Sequence, residues 1–293
     1  MQALNDIGNG AAIIFLHGFP FNRSMWREQI EFLSARAYRC VAPDLRGLGD
    51  NVASTTVGEP TMEEHRLKSV PPNTMEEHRL KSVPPNTMDD MARDVAMLLD
   101  ELKIDQAVIC GLSMGCYVAF EFVHLFPGRV TALVLAGGRC EGPDKAEKQS
   151  REQQAKRVLE QGFAPSVDNI IQSLLAPRTL SDKPDVAARV REMVAQTDPR
   201  GAAAAQRGMA ARRDYCEDLQ QISVPTLIVA GRDDGVRKPI DAETIHRGIQ
   251  TSRLETIKDA GHLMNMEQPE VFNQVMVDFL KESVSEPPVV AGG

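Results

Sequence analysis

Apolar residues along this chain follow two rhythms. Four short uninterrupted runs, Ala11–Leu16 (AAIIFL), Ala107–Cys110, Ala132–Leu135 and Thr226–Ala230 (TLIVA), have the length and branched content of strands buried on both faces. Two further strand-sized segments are Arg39–Ala42 and Arg253–Ile257. Between them, apolar residues recur three or four positions apart over Met25–Ser34, Met88–Leu102 (MDDMARDVAMLLDEL), Met114–Leu125, Ala242–Ile249 and Val271–Leu280, which predicts amphipathic helices. Strand, helix, strand in this order predicts βαβ units: an α/β fold with a mostly parallel central sheet and helices on both faces. Sheets of this kind bind ligands at the carboxyl ends of their strands, so the residues just after each apolar run are where chemistry is sought.

The rhythm breaks twice. From Gly138 to Ser223 the composition is rich in Ala, Arg, Gln and Glu with no strand signal, which predicts a helical insertion flanked by strands. The expected organisation is a core of residues 1–138 and 223–284, a helical segment at 139–222, and a disordered tail at 285–293 (SEPPVVAGG). The second break is a perfect tandem repeat: Thr61–Asn73 and Thr74–Asn86 both read TMEEHRLKSVPPN, and a third copy starts at Thr87 with TMDD before departing. Each copy offers a capping-box-like helix start at Thr and must stop at Pro-Pro. With almost no apolar face, residues 62–87 read as a surface excursion outside the chemistry, from a recent duplication or an engineered insertion.

Composition narrows the classes. The chain has 293 residues, 33 basic and 41 acidic, for a net charge of −8, and 42% of its residues are hydrophobic. That excludes wholesale disorder, and the acidic balance argues against a nucleic-acid surface, which needs clustered Lys and Arg. No apolar run approaches the roughly 18–20 residues of a membrane span. The opening MQALNDIGNG has neither the basic nor the apolar stretch of a secretory signal. Five cysteines (Cys40, Cys110, Cys116, Cys140, Cys216), an odd count without metal spacing, predict free thiols and a cytoplasmic protein.

The strand ending at Cys110 runs into Gly111-Leu112-Ser113-Met114-Gly115 and then directly into a helix. A strand-to-helix turn that tight strains its central residue and requires glycines where side chains would clash. It presents Ser113 at the carboxyl edge of the sheet. A serine hydroxyl needs a base, normally a histidine held by a carboxylate. Of six histidines, His65 and His78 are duplicates within the repeat, His124 faces away along the helix after Ser113, and His246 reads as solvated. His17, before Gly18, reads as a loop-shaping residue. His262, in Asp259-Ala260-Gly261-His262 after the last strand segment, is the best base. The carboxylate is sought after Thr226–Ala230, where Gly231-Arg232-Asp233-Asp234-Gly235 offers either Asp233 or Asp234. An oxyanion needs two backbone N–H donors; Met114 supplies one and Phe19, in His17-Gly18-Phe19-Pro20, the other, since Pro20 has no N–H. Cys116 and Trp26 read as packing residues; Met114, Met264 and Met266 read either as lining of an acyl pocket or, more commonly for methionine, as generic core filler.

These pieces together resemble the α/β-hydrolase superfamily, and within it small serine esterases, 3-oxoadipate enol-lactonases and cofactor-free haloperoxidase-type hydrolases. The resemblance rests on HGFP with SMW at Ser24–Trp26, APDLRGLG, GLSMG, AGRDDGV and DAGHLMNMEQPEVF, spread from about residue 11 to 280. It implies the α/β-hydrolase fold with residues 139–222 as a helical cap, and it places the acid at Asp234. The family opens with an antiparallel strand pair, yet only MQALNDIG precedes the first core run, so the first strand is expected to be missing. The expected function is hydrolysis of small carboxylic esters or lactones through an acyl-enzyme, by Ser113, His262 and Asp234, with no metal or cofactor and no membrane or nucleic-acid partner. Ser113 sets the chain apart from the epoxide hydrolases and haloalkane dehalogenases that share the scaffold with Asp as nucleophile. The alternatives are a ligand-sensing receptor that turns over slowly and an engineered hydrolase scaffold carrying the repeat.

Overall fold

Branched and aliphatic runs that alternate between two faces need helices on both, and the computed structural model, which describes residues 3–52 and 83–283, has that form. Its strands are β1 (Leu4–Ile7), β2 (Ala11–Leu16), β3 (Tyr38–Pro43), β4 (Ala107–Leu112), β5 (Val130–Ala136), β6 (Thr226–Gly231) and β7 (Ser252–Ile257). They form one sheet in the order β1-β3-β2-β4-β5-β6-β7. Every neighbouring pair is parallel except β1 with β3, which runs antiparallel with Leu4 opposite Pro43 and Ile7 opposite Cys40.

That pairing corrects the expectation of a missing first strand. The segment LNDI is short, half exposed and carries two polar residues, so it lacks the apolar signature of an interior strand, yet its backbone completes the edge of the sheet.

Alternation within the strands divides the core. Ile14, Leu16, Ile109 and Leu133 pack beneath helices α2 (Met88–Glu101) and α3 (Met114–Leu125) on one face. Ile13, Phe15, Val108 and Val134 pack on the other, with α1 (Arg27–Ser34) and the carboxyl-terminal helix Pro269–Ser283. Trp26 is fully buried between Phe15 and Phe272, in keeping with a packing role. Helix α2 begins at the third, truncated copy of the repeat. The Thr87 side chain accepts from the Asp90 N–H while Asp90 accepts from the Thr87 N–H, a complete capping box.

Between β5 and β6 lie α4 (Lys145–Gln161), α5 (Val167–Leu174), α6 (Pro177–Asp182), α7 (Pro184–Ala195) and α8 (Pro199–Ala211). Helices α4 and α8 pack along each other, with Ala155 and Val158 against the small side chains of Ala202, Ala203 and Ala204. Val83 is buried in the same cluster, and its carbonyl accepts from Arg207 at 2.6 Å. Asn86 is buried too: its N–H donates to Ala204 O at 3.0 Å and its amide to Arg46 O at 2.9 Å. The end of the expected surface excursion is therefore docked on these helices, because its Val and Asn find an apolar niche and backbone partners. The rest of the repeat and the tail at 285–293 lie outside the described residues.

The cysteines also depart from expectation. Cys40, Cys110 and Cys116 are free and buried, whereas Cys140 and Cys216 form a disulfide across a sequence separation of 76. Its two ends flank the five-helix segment, one just after β5 and one just before β6. Separation along the chain hid the pair; the return of the chain to the sheet brings the thiols together. No helix among the described residues is long and apolar enough to cross a membrane.

Candidate active site

The turn between β4 and α3 is built by its glycines. A Cβ at Gly111 would come 2.3 Å from Gly115 O, and one at Gly115 would come 2.1 Å from Leu16 O, so neither position tolerates a side chain without movement. Ser113, between them, holds φ +54 and ψ −108, a left-handed region that costs a non-glycine residue on the order of 1–3 kcal/mol and is kept only where the surroundings impose it. The imposition is visible: Ser113 N–H donates to Ala136 O at 2.9 Å and Ser113 O accepts from Cys116 N–H at 3.0 Å. The side chain caps nothing on α3 and faces a cavity of about 500 Å³. Cys116 packs behind the turn, its thiol directed at Gly111 O and Ala136 O, and burial pushes it up to about 12, far from thiolate.

His262 lines the same cavity. Its Nδ1 lies 2.8 Å from Asp234 Oδ2, and both side chains are almost fully buried. An ionised carboxylate can only accept, so Nδ1 carries the proton and Nε2 is left with a lone pair. Burial pushes the Asp234 carboxyl up, but the His262 hydrogen bond and charge, with N–H bonds from Arg237 and Val236 to Oδ1, outweigh it and hold the group below its ordinary value. Asp233, the other candidate, is exposed; its N–H closes the turn onto Ala260 O at 2.9 Å.

His262 is held by its neighbours. Its own N–H donates to Leu174 O at 2.7 Å, while the N–H groups on either side, Gly261 and Leu263, both donate to Glu267 Oε1. The other oxygen of Glu267 accepts from Ala176 N–H and from the Thr179 hydroxyl, each at 2.7 Å. Burial raises the Glu267 carboxyl above its ordinary value despite these four donors. Sequence reasoning missed Glu267, although it lies within the stretch that contains His262.

Phe19 and Pro20 line the cavity from the loop after β2, and Met114 is the first residue of α3. No hydrogen bond among the described residues engages the N–H of Phe19 or Met114, whereas Gly18 N–H is taken by Met25 Sδ. At a helix start the first N–H groups have no partner within the helix, so Met114 N–H is free to bind an anion. His17 shapes this loop: Nδ1 faces Gly18 O at 2.9 Å and Nε2 accepts from Leu45 N–H at 2.9 Å. Burial lowers its pKa, in keeping with a neutral imidazole that donates at one end and accepts at the other.

Val236 and Arg237 line the cavity from the loop after β6, and the rest of it comes from the five-helix segment, including Phe163, Leu174 and Met209, with Phe163 facing Phe19 at 6.2 Å between ring centroids. Met114, Met264 and Met266 are buried but do not line it; Met209 does. His124 and His246 lie elsewhere, the first half-exposed beside Asp218 and the second bonded to Ser252.

A strained serine at a strand-to-helix turn thus faces one cavity with a histidine fixed by a carboxylate, at the carboxyl edge of a mostly parallel sheet. The chain belongs to the family described as alpha/beta hydrolase fold, which it matches over residues 11–269. It is 29% identical to 3-oxoadipate enol-lactonase 2 of Acinetobacter baylyi over 92% of this chain and 88% of that protein. It is 30% identical to 3-oxoadipate enol-lactonase 1 of the same organism over 95% and 91%. Among solved structures it is similar to a thermophilic esterase from Thermogutta terrifontis, determined with malate bound, at 33% identity and a TM-score of 0.84 over 97% of this chain and 94% of that one.

Proposed function

We propose that this enzyme is a serine hydrolase of small carboxylic esters or lactones, that it works through an acyl-enzyme, and that the five helices between β5 and β6 are its cap. The observation that carries the reading is the pairing of Ser113 at φ +54 with His262, whose Nδ1 is engaged by Asp234 at 2.8 Å, on one cavity. Lactonase and esterase relatives support the same substrate class.

In this mechanism Ser113 Oγ attacks the carbonyl carbon as its proton passes to His262 Nε2. The oxyanion takes the N–H groups of Phe19 and Met114. Collapse breaks the acyl–oxygen bond, and the proton on Nε2 goes to the departing alkoxide; in a lactone that alkoxide stays tethered to the acyl chain. Water then gives its proton to Nε2 and attacks the acyl carbon, and the same proton returns to Ser113 Oγ as the acid leaves. Asp234 fixes the tautomer and stabilises the imidazolium.

Hydrolysis of p-nitrophenyl acetate and butyrate by the intact protein and by Ser113→Ala tests this. The expected loss of kcat is about 10⁴-fold or more, the scale seen when a triad serine is removed. Activity that survives the substitution would overturn the assignment.

A further inference from the structure

Asp234 is oriented by its own loop. The N–H groups of Val236 and Arg237 donate to Asp234 Oδ1 at 2.7 and 2.9 Å, which leaves Oδ2 for His262. That loop has little to hold it in place. From Gly235 to Ile240 every residue is exposed except Arg237. The Arg237 side chain turns inward, and Tyr117 Oη accepts from its Nη2 at 2.5 Å. Among the described residues this is the one hydrogen bond of that guanidinium: its Nε has no partner.

Packing does not fix the side chain either. Arg237 lines the cavity of about 500 Å³ that Ser113 and His262 share, and also a second cavity of about 210 Å³ that Asp234, Gly137 and Thr256 line. A long, flexible side chain bordered by two open spaces keeps one position only where a directed contact selects it, and a charge-assisted hydrogen bond is such a contact.

Tyr117 is a fixed acceptor. It lies one helical turn past Ser113 on α3, is 1% exposed, and carries the Arg212 guanidinium 4.3 Å over its ring. Arg212 in turn donates to Glu147 of α4 at 3.1 Å. Arg139, also paired with Glu147, bonds to the same phenol. One phenol therefore ties the loop that orients Asp234 to the helix that begins at Ser113, and both of these to α4.

We propose that Tyr117 and Arg237 are positioning residues of the triad: the hydrogen bond between them fixes the loop after β6, and through its N–H groups the angle at which Asp234 meets His262. This rests on the serine-hydrolase reading and goes beyond it, from the groups that react to the pair that aligns them. The pair acts through Asp234 and takes no part in bond making.

Tyr117→Phe removes the acceptor and keeps the ring. With p-nitrophenyl butyrate, kcat and kcat/KM are expected to fall together by roughly ten- to a hundredfold, with KM near that of the parent, because misalignment of a catalytic group acts on the transition state. Arg237→Ala should match it, and the two substitutions combined should be no slower than either alone, since one bond is lost in all three. Arg237→Lys, which can still donate to the phenol, should stay within about threefold of the parent rate. In Asp234→Asn, with turnover counted as the part abolished by a serine-directed phosphonate, Tyr117→Phe should cost less than about twofold more.

Losses that multiply in the combined variant, an undiminished effect in Asp234→Asn, or a Tyr117→Phe enzyme at the parental rate would each overturn the proposal. Should Tyr117→Phe fail to fold by circular dichroism, Arg237→Lys against Arg237→Ala decides: a lysine variant faster by about fivefold or more supports the bond, and equal rates overturn it. Ser113→Ala without turnover, beside Tyr117→Phe at the parental rate, removes the positioning pair alone. Turnover that persists in Ser113→Ala removes the serine-hydrolase reading on which the pair rests.

Discussion

Glu267 and Ala176 are separated by 91 positions in sequence, yet the Glu267 carboxylate accepts the Ala176 N–H at 2.7 Å. The same carboxylate accepts from Gly261 and Leu263 on either side of His262, so it joins the helical segment between β5 and β6 to the loop that carries the histidine. Glu267→Ala leaves three buried N–H groups without acceptors, and each orphaned group costs about 1–3 kcal/mol. The expected loss exceeds about 3 kcal/mol in urea unfolding. Glu267→Gln keeps one acceptor oxygen but turns an amide toward the donors of Ala176 and Thr179, so an intermediate loss is expected. Equal stability of both variants and the parent would remove the clamp.

Asp234→Asn tests the tautomer argument separately from the fold. The side chain keeps its size and its turn, but the amide can donate to Nδ1 and so favours the imidazole form with its proton on Nε2. The expected fall in kcat is about 10⁴-fold near neutral pH, with thermal stability reduced much less. A fall of only a few-fold would mean that Asp234 does not orient His262.

Acid sensitivity follows from Glu147. Burial alone would push this carboxyl up, but Arg212 and Arg151 hold it down at about 2 against an ordinary value of 4.5. A folded-state pKa below the unfolded one means that the ionised group stabilises the fold. Its contribution is fully present above pH 4.5 and is lost as pH falls toward about 2. Thermal melts of the parent should drop across that window, and Glu147→Gln should start lower at neutral pH and show a flatter dependence. Parallel curves would place the acid-labile group elsewhere.

The cysteines give a count. Unfolded without reductant, the chain should titrate three thiols, from Cys40, Cys110 and Cys116, and after reduction five. The bridge restricts the unfolded chain over 76 positions of separation, so breaking it by Cys140→Ser is expected to cost about 2–4 kcal/mol, read as a lower urea midpoint. Five thiols before reduction would mean that the bridge does not form.

Much of this enzyme is written locally. Among the described residues, β2, β4, β5 and β6 lie where short apolar runs stand, because an interior strand must be apolar on both faces. Ser113 is legible for the same kind of reason: Gly111, Gly115 and a helix start within five residues describe a backbone shape that needs no distant partner. His262 was legible from its place after β7, while two adjacent aspartates satisfied every local criterion equally. Only the folded chain shows Asp234 turned to His262 and Asp233 turned to solvent. Strand β1 escaped notice because an exposed edge strand needs backbone pairing and not hydrophobicity.

What tertiary structure alone decided shares one physical cause, that the partners meet only when the sheet and the helices over it close together. Cys140 and Cys216 are ordinary cysteines until both ends of the five-helix segment return to the sheet. Glu267 is an ordinary surface-type residue until Ala176 and Thr179 descend on it. Arg139, Arg151, Arg212 and Arg237, scattered across nearly a hundred positions in a chain of net charge −8, become a positive wall only around Tyr117 and Glu147. Sequence determined the interior strands and the glycine-built turn at Ser113, whose constraints are local; the fold decided which charges face one another, because electrostatic partners are set by distance in space.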